Sequence, residues 1–238
     1  MQLLTQELYA GKHARATLHD YVNAIILGDC CSVMQHFRNN SVDLVLTDPP
    51  YLINYQSRDG RRIAGDSNDN WLLPAFSEAF RVLKADSFCI SFYGWSKADR
   101  YLAAWREAGF RPVGHLVFIK SYTSGSSFLQ YRHEQAYLLA KGRVHRPLSP
   151  ISDVLYWKYT GNRLHPTQKP IRALMRLIRA FSKPNDVILD PFCGSGGVPL
   201  AAKLSGRRYI GIELRQDYFE VAQRRLNCFM SNEATKEQ

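Results

Sequence analysis

Four consecutive residues at the end of one apolar run are the part of this chain best suited to chemistry. Val42, Leu44, Val45 and Leu46 lead through Thr47 into Asp48-Pro49-Pro50-Tyr51. A continuous apolar run that stops at prolines predicts a strand buried on both faces, hence a parallel sheet. Neither proline has an N–H and each fixes φ, so strand pairing ends there and a stiff turn begins. The turn carries one carboxylate, one aromatic ring and unpaired carbonyls. It offers hydrogen-bond acceptors beside a flat stacking surface, and in open α/β sheets ligands bind just outside the carboxyl ends of strands.

Two further stretches have the same layout. Val187-Ile188-Leu189 ends on Asp190, and Pro191-Phe192-Cys193-Gly194-Ser195-Gly196-Gly197 then opens a helix. The glycines let backbone approach a ligand closely, and the helix start supplies free N–H groups. Tyr209-Ile210-Gly211-Ile212 ends on Glu213, 23 positions after Asp190. That is about the spacing at which an acidic residue holds a ribose in dinucleotide folds. A glycine-rich turn alone is as readily a plain tight turn. Joined to a strand-terminal Glu it favours an adenosine-type ligand, and the absence of G-x-G-x-x-G counts against a nicotinamide cofactor. Cys193 lies inside the motif without an evident base, which excludes it as a nucleophile.

These residues need strands and helices to hold them. The pattern predicts strands at 24–27, 42–47, 87–93, 114–119, 134–140, 187–190 and 208–212. Helices fall between them, at about 30–37, 71–83, 97–108, 181 and the residues before it, 197–205 and 216–229. His165-Pro166-Thr167 reads as the cap of the helix that ends near Phe181. Residues 52–70, 120–132 and 141–166 are irregular, and the last is basic and aromatic. Strands alternating with helices give an α/β, Rossmann-like, doubly wound and mostly parallel seven-stranded sheet with helices on both faces.

The 238 residues are 45% hydrophobic and 22% charged, which excludes a disordered chain. A net charge of +10 favours a polyanionic partner. No basic block concentrates that charge, so nucleic acid is preferred over a membrane surface. The five cysteines are odd in number and lack C-x-x-C spacing, pointing to reduced thiols with no metal site. The first residues lack a signal-peptide core and no apolar run reaches membrane-spanning length, so a cytoplasmic protein is expected.

Asp48-Pro49-Pro50-Tyr51 together with Asp190-Pro191-Phe192-Cys193-Gly194-Ser195-Gly196 resembles the DNA amino-methyltransferases that use S-adenosylmethionine. The form with Asp most resembles the N6-adenine enzymes, since N4-cytosine enzymes more often carry Ser there. The tetrapeptide precedes the glycine motif by 142 residues, an order that resembles the permuted β group. Gly28-Asp29-Cys30, His165-Pro166-Thr167-Gln168-Lys169-Pro170 and Gly211-Ile212-Glu213-Leu214 match further family positions, and the resemblance runs from about Ile25 to Leu226.

The resemblance implies one methyltransferase domain over 1–238, with 52–70 as catalytic loop, 120–132 as an insertion and 141–166 as a small target-recognition region. It implies double-stranded DNA as partner, a possible homodimer, and a bacterial, phage or plasmid origin. Asp48 and the Pro49 carbonyl would accept the two N6–H bonds of adenine, Pro50 would stiffen the turn, and Tyr51 would stack on the flipped base. Glu213 would take the ribose hydroxyls and Asp29 the cofactor's adenine. Asp190, Phe192, Gly194, Ser195 and Gly196 would surround its methionine part, whose carboxylate Thr167 and Lys169 would hold. Asp29 and Thr167 read equally well as helix caps. Arg58, Arg61 and Arg62 are the candidate phosphate clamps. The rivals are an N4-cytosine enzyme, an RNA methyltransferase, an inactive nucleic-acid-binding module and a dehydrogenase.

Overall fold

The computed structural model describes residues 18–57, 60, 62–123, 128–147, 149–157 and 169–234. In chain order they form α1 (Leu18–Tyr21), β1 (Ala24–Leu27), α2 (Cys30–Met34), β2 (Val42–Thr47) and α3 (Leu72–Val82). β3 (Leu83–Phe92), α4 (Ala98–Glu107), β4 (Arg111–Lys120), β5 (His133–Lys141) and β6 (Val154–Trp157) follow. α5 (Ile171–Phe181), β7 (Val187–Asp190), α6 (Gly197–Leu204), β8 (Arg208–Glu213) and α7 (Gln216–Ala234) complete them.

The strands make one sheet in the order β1-β8-β7-β2-β3-β5-β4-β6. β1, β8, β7, β2 and β3 are mutually parallel, so their carboxyl ends share one edge. β5 runs antiparallel to β3 and β4, and β6 returns parallel to β4. β2 is almost wholly buried because both its faces are covered. Val45 packs with α2, α3 and α4 on one side, while Leu44 and Leu46 pack with α5, α6 and α7 on the other. The neighbours β2 and β7 are thus followed by helices that leave to opposite faces, α3 after β2 and α6 after β7. That divergence opens a crevice between adjacent strand ends, the place where doubly wound sheets take ligands. Asp48 and Asp190 stand at its two sides.

The sheet has eight strands where seven were expected. The addition, β6, lies inside 141–166, which reads as irregular because its four residues pair with β4, more than thirty positions earlier. Leu155 and Trp157 face inward and Val154 and Tyr156 outward, so apolar residues occupy both faces of this short edge strand and mask its period of two. Element boundaries also move. β3 begins at Leu83, directly after α3, and β4 begins at Arg111. α5 starts after Pro170, whose carbonyl accepts the Ala173 and Leu174 N–H groups, and not at Thr167. The proposed cap His165-Pro166-Thr167 lies outside the described residues.

Candidate active site

The two proline-bearing turns are tied together beneath the site. Thr47, fully buried, donates its hydroxyl to Asp190 Oδ1 at 2.9 Å, and the Phe192 N–H reaches the same oxygen at 3.1 Å. Burial nevertheless pushes the Asp190 carboxyl up to about 8, against the lowering effect of those two donors. The Tyr101 hydroxyl holds the Pro50 carbonyl, which fixes the first turn one residue beyond the Pro49 carbonyl. Gly94 passes behind Tyr51, where a Cβ would sit 2.9 Å from the Tyr51 Cβ and carbonyl oxygen. Only glycine permits that approach.

Above this base lies a chain of charges. Lys169 Nζ is 2.7 Å from Asp48 Oδ2 and 3.1 Å from the Tyr51 hydroxyl, and it lies 5.1 Å from the centroids of both the Tyr51 and Phe92 rings. Tyr51 donates to Asp48 Oδ1 at 2.9 Å, with Glu134 Oε2 at 3.3 Å. Lys120 Nζ completes the chain at 3.0 Å from Glu134 Oε1. Burial raises the Asp48 carboxyl above its ordinary value and Lys169 works against it, while Glu134 adds to the rise. For Glu134, burial acts upward too, but Lys169 and Lys120 outweigh it and leave the carboxyl below its ordinary value. The Tyr51 phenol is held well above 10.0 by burial, with the two carboxylates adding to it, so Tyr51 is a donor at neutral pH.

A cavity of about 170 Å³ opens beside this chain, lined among others by Asp29, Asp48, Pro50, Phe192, Glu213 and Tyr218. Trp71 closes it edge-on to Phe192, with ring centroids 5.0 Å apart. Its outer wall is the segment after Tyr51, gathered by Asp66, whose carboxylate accepts the Leu52, Ile53 and Tyr55 N–H groups at 2.6, 3.3 and 2.5 Å. Glu213 is 9% exposed and accepts the Gly194 and Arg215 N–H groups at 2.8 and 2.9 Å. A second cavity of about 50 Å³ lies between Asp48, Lys169, Asp190, Gly194 and Ser195. Carboxylates dominate the polar lining, with apolar walls around them. That suits a ligand rich in hydrogen-bond donors, such as a ribose and an aminopurine.

Asp48, Pro49, Pro50, Tyr51, Asp29, Phe192, Gly194 and Glu213 therefore share the larger cavity. Lys169, Asp190 and Ser195 share the smaller one, with Asp48, Phe192 and Gly194 common to both. Asp29 also caps α2, accepting from the Ser32 N–H at 2.9 Å. Gly196 does not line either cavity. It takes φ +76° and lets α6 approach α7, a Cβ there lying 3.0 Å from that of Ala222. The Lys169 ammonium lies on Asp48, not free at the glycine turn. Arg62 is exposed at the rim, its carbonyl accepting from Arg215 at 3.1 Å. Thr167, Arg58 and Arg61 lie outside the described residues. Sequence reasoning missed Thr47, Asp66, Tyr101, Lys120 and Glu134, each of which acts through a partner distant in the chain.

A doubly wound sheet with a carboxylate-lined, nucleoside-sized crevice at its switch point defines a class of adenosine-ligand transferases and oxidoreductases. Within that class the assignment is narrower. A family model for DNA methylases, the N6/N4 methyltransferases, matches residues 42–224, and the chain belongs to this family. It is 56% identical over 205 residues to YubD of Escherichia coli (strain K12), provisionally named a methylase, covering 86% of this chain and 90% of that protein. It is 26% identical over 260 residues to the type II methyltransferase M.HinfI of Haemophilus influenzae, covering 92% of this chain and 72% of that protein. Among solved structures, the complex of M1.HpyAVI with S-adenosylmethionine superposes with a TM-score of 0.69 at 24% identity, covering 85% and 98% of the two chains. The cytosine-N4-specific PvuII DNA methyltransferase gives 0.71 at 18% identity, covering 84% of each. Both confirm the fold. No helix among the described residues is long and apolar enough to cross a membrane.

Proposed function

We propose that this chain transfers a methyl group from S-adenosylmethionine to the N6 amino group of an adenine turned out of duplex DNA. The observation that carries the reading is a rigid acceptor turn at Asp48-Pro49 beside a cavity whose polar lining is mostly carboxylate. Bound S-adenosylmethionine supplies an electrophilic methyl group on a sulfonium. Glu213 and Asp29 would hold its ribose and adenine, as acceptors facing donors. Phe192, Tyr218 and Trp71 would enclose its apolar surfaces.

The protein's part in the chemistry is positional. An exocyclic amino nitrogen is a poor nucleophile because its lone pair is delocalised into the ring. Asp48 and the Pro49 carbonyl would each accept one N–H, directing the lone pair toward the donor, and the stiff prolines keep both acceptors in place. Tyr51 would support the base in the pocket, since a paired base is out of reach. The net charge of +10 draws the phosphate backbone toward the chain. The 52–70 and 141–166 segments, with Arg58, Arg61 and Arg62, are the parts proposed to meet the duplex within one methyltransferase domain.

The test is incubation with labelled S-adenosylmethionine and mixed-sequence DNA, followed by digestion to nucleosides. N6-methyl-2′-deoxyadenosine is the expected product. N4-methyl-2′-deoxycytidine would refute the base assignment, and label appearing only with RNA would refute the substrate. Asp48→Ala is expected to lower transfer by about 100-fold or more while cofactor binding persists. Transfer unchanged in that variant would refute the mechanism.

A further inference from the structure

The Tyr51 hydroxyl has one proton and stands between two carboxylates, 2.9 Å from Asp48 Oδ1 and 3.3 Å from Glu134 Oε2. One O–H donates fully to one acceptor at a time. In the structure both Asp48 oxygens are engaged, Oδ1 by Tyr51 and Oδ2 by Lys169. Each oxygen can accept a second bond, but a target amino group leaning on Oδ1 would compete there with the Tyr51 phenol. A half-buried hydroxyl left without an acceptor carries a desolvation penalty, so it needs somewhere to go.

Glu134 is placed to receive it. Lys120 is the last residue of β4, and Phe118, two positions earlier, stands opposite Glu134 on β5. The two therefore share a sheet face as diagonal neighbours. Lys120 is 1% exposed and grips Glu134 Oε1, which leaves Oε2 turned toward Tyr51. The carboxylate is thus held by strand register, and the position offered to Tyr51 is fixed before any substrate arrives.

We infer that Glu134, fixed by Lys120, is a positioning residue that takes over the Tyr51 hydroxyl when the target amine takes Asp48 Oδ1. The exchange conserves hydrogen bonds. The amine replaces the phenol on Asp48, the phenol moves to Glu134, and neither carboxylate is stripped. It also sets the orientation of the Tyr51 ring, on which the flipped base would rest. This inference rests on the methyl-transfer reading above.

Glu134→Gln tests it, because the side chain keeps its size and one acceptor oxygen but loses its charge. Expected are a fall in kcat of about tenfold to a hundredfold, an S-adenosylmethionine dissociation constant within about twofold of wild type, and an acid limb of the kcat–pH profile moved to lower pH. The sign follows from the charges facing Asp48. Glu134 pushes the Asp48 carboxyl up, Lys169 and the Tyr51 hydroxyl pull it down, and Lys120 acts on Glu134. Removing the Glu134 charge lets Asp48 ionise at lower pH. A Glu134→Leu/Lys120→Met double variant, whose buried pair is neutral, controls for folding. It should bind the cofactor and stay slow. Wild-type kcat with an unmoved acid limb in Glu134→Gln would overturn the inference, as would recovery of activity in the neutral double variant, which would make the pair structural only. A wild-type protein that transfers no methyl group would instead overturn the methyl-transfer reading, and this inference with it.

Discussion

Lys169→Met isolates the charge that holds Asp48 in place. The pair is close, 2.7 Å, and its side chains are 7% and 21% exposed. Removing one member of a buried pair costs about 3–5 kcal/mol, because the other charge is left uncompensated. Asp48 keeps some water and its bond from Tyr51, so the lower end, about 3 kcal/mol, applies. Methionine keeps an unbranched apolar side chain of similar length while removing the ammonium that lies over the Tyr51 and Phe92 rings, so the loss is mainly electrostatic. In a chain of this length each kcal/mol moves Tm by about 2–4 °C, and the expected fall is roughly 6–12 °C. Adding Asp48→Asn removes the stranded carboxylate, and the double variant should regain most of the loss. The pH dependence has a definite sign. Burial already raises the Asp48 carboxyl above 3.8, and loss of the ammonium raises it further. The penalty is then absent below 3.8 and grows as pH rises through the folded value. Thermal melts of wild type, single and double variants at pH 5 and pH 8 give the result. The reasoning is refuted if Lys169→Met melts within about 1 °C of wild type at pH 8, or if the double variant is no more stable than the single.

Asp190→Asn should flatten the pH dependence of stability. The wild-type carboxyl titrates near 8 in the folded chain against 3.8 ordinarily, so folding loses up to roughly 1.4 kcal/mol per unit as pH rises between those values. The variant should therefore gain on wild type between pH 5 and pH 8 in paired melts, and a pH-independent difference would count against the buried acid. Asp66→Asn leaves one acceptor oxygen for the three N–H groups now shared between two, a loss of about 1–3 kcal/mol concentrated in the segment after Tyr51. Limited proteolysis should cut 52–66 faster and cofactor affinity should fall. An unchanged cleavage rate would show that Asp66 does not hold the segment.

What could be read from the sequence follows from where information is stored in it. Asp48, Asp190 and Glu213 each end an apolar run, and a buried parallel strand announces its own carboxyl end. Their convergence follows from topology alone. Lys120 and Glu134 are different. Each is one charged residue at the rim of a strand, a pattern that ordinarily means a solvated end. Their burial depends on β4 pairing with β5 and on Tyr51 arriving from another part of the chain. β6 was hidden for a related reason, since an edge strand is specified by its neighbour and not by its own period. Gly196 was legible as a glycine that mattered, but the close approach it permits is to α7.

Lys169 joins these two kinds of information. Its family position placed it at the methionine carboxylate, whereas the structure places its ammonium on Asp48 and over the ring of Tyr51. Those are an acceptor and an aromatic ring that a flipped base would use. In the free chain an ammonium there supplies the N–H donors and the positive charge that keep both groups solvated in effect, without water. On the inference above the entering amine takes Asp48 Oδ1, so this ammonium can keep Oδ2. The 50 Å³ cavity bounded by Lys169, Gly194 and Ser195 lies on the glycine-turn side. An ammonium moved into that cavity would stand where a ligand carboxylate could replace Asp48 as its counter-ion. On the proposed function the two placements would be alternative partners of one side chain, and the one it takes would depend on whether a cofactor carboxylate is bound.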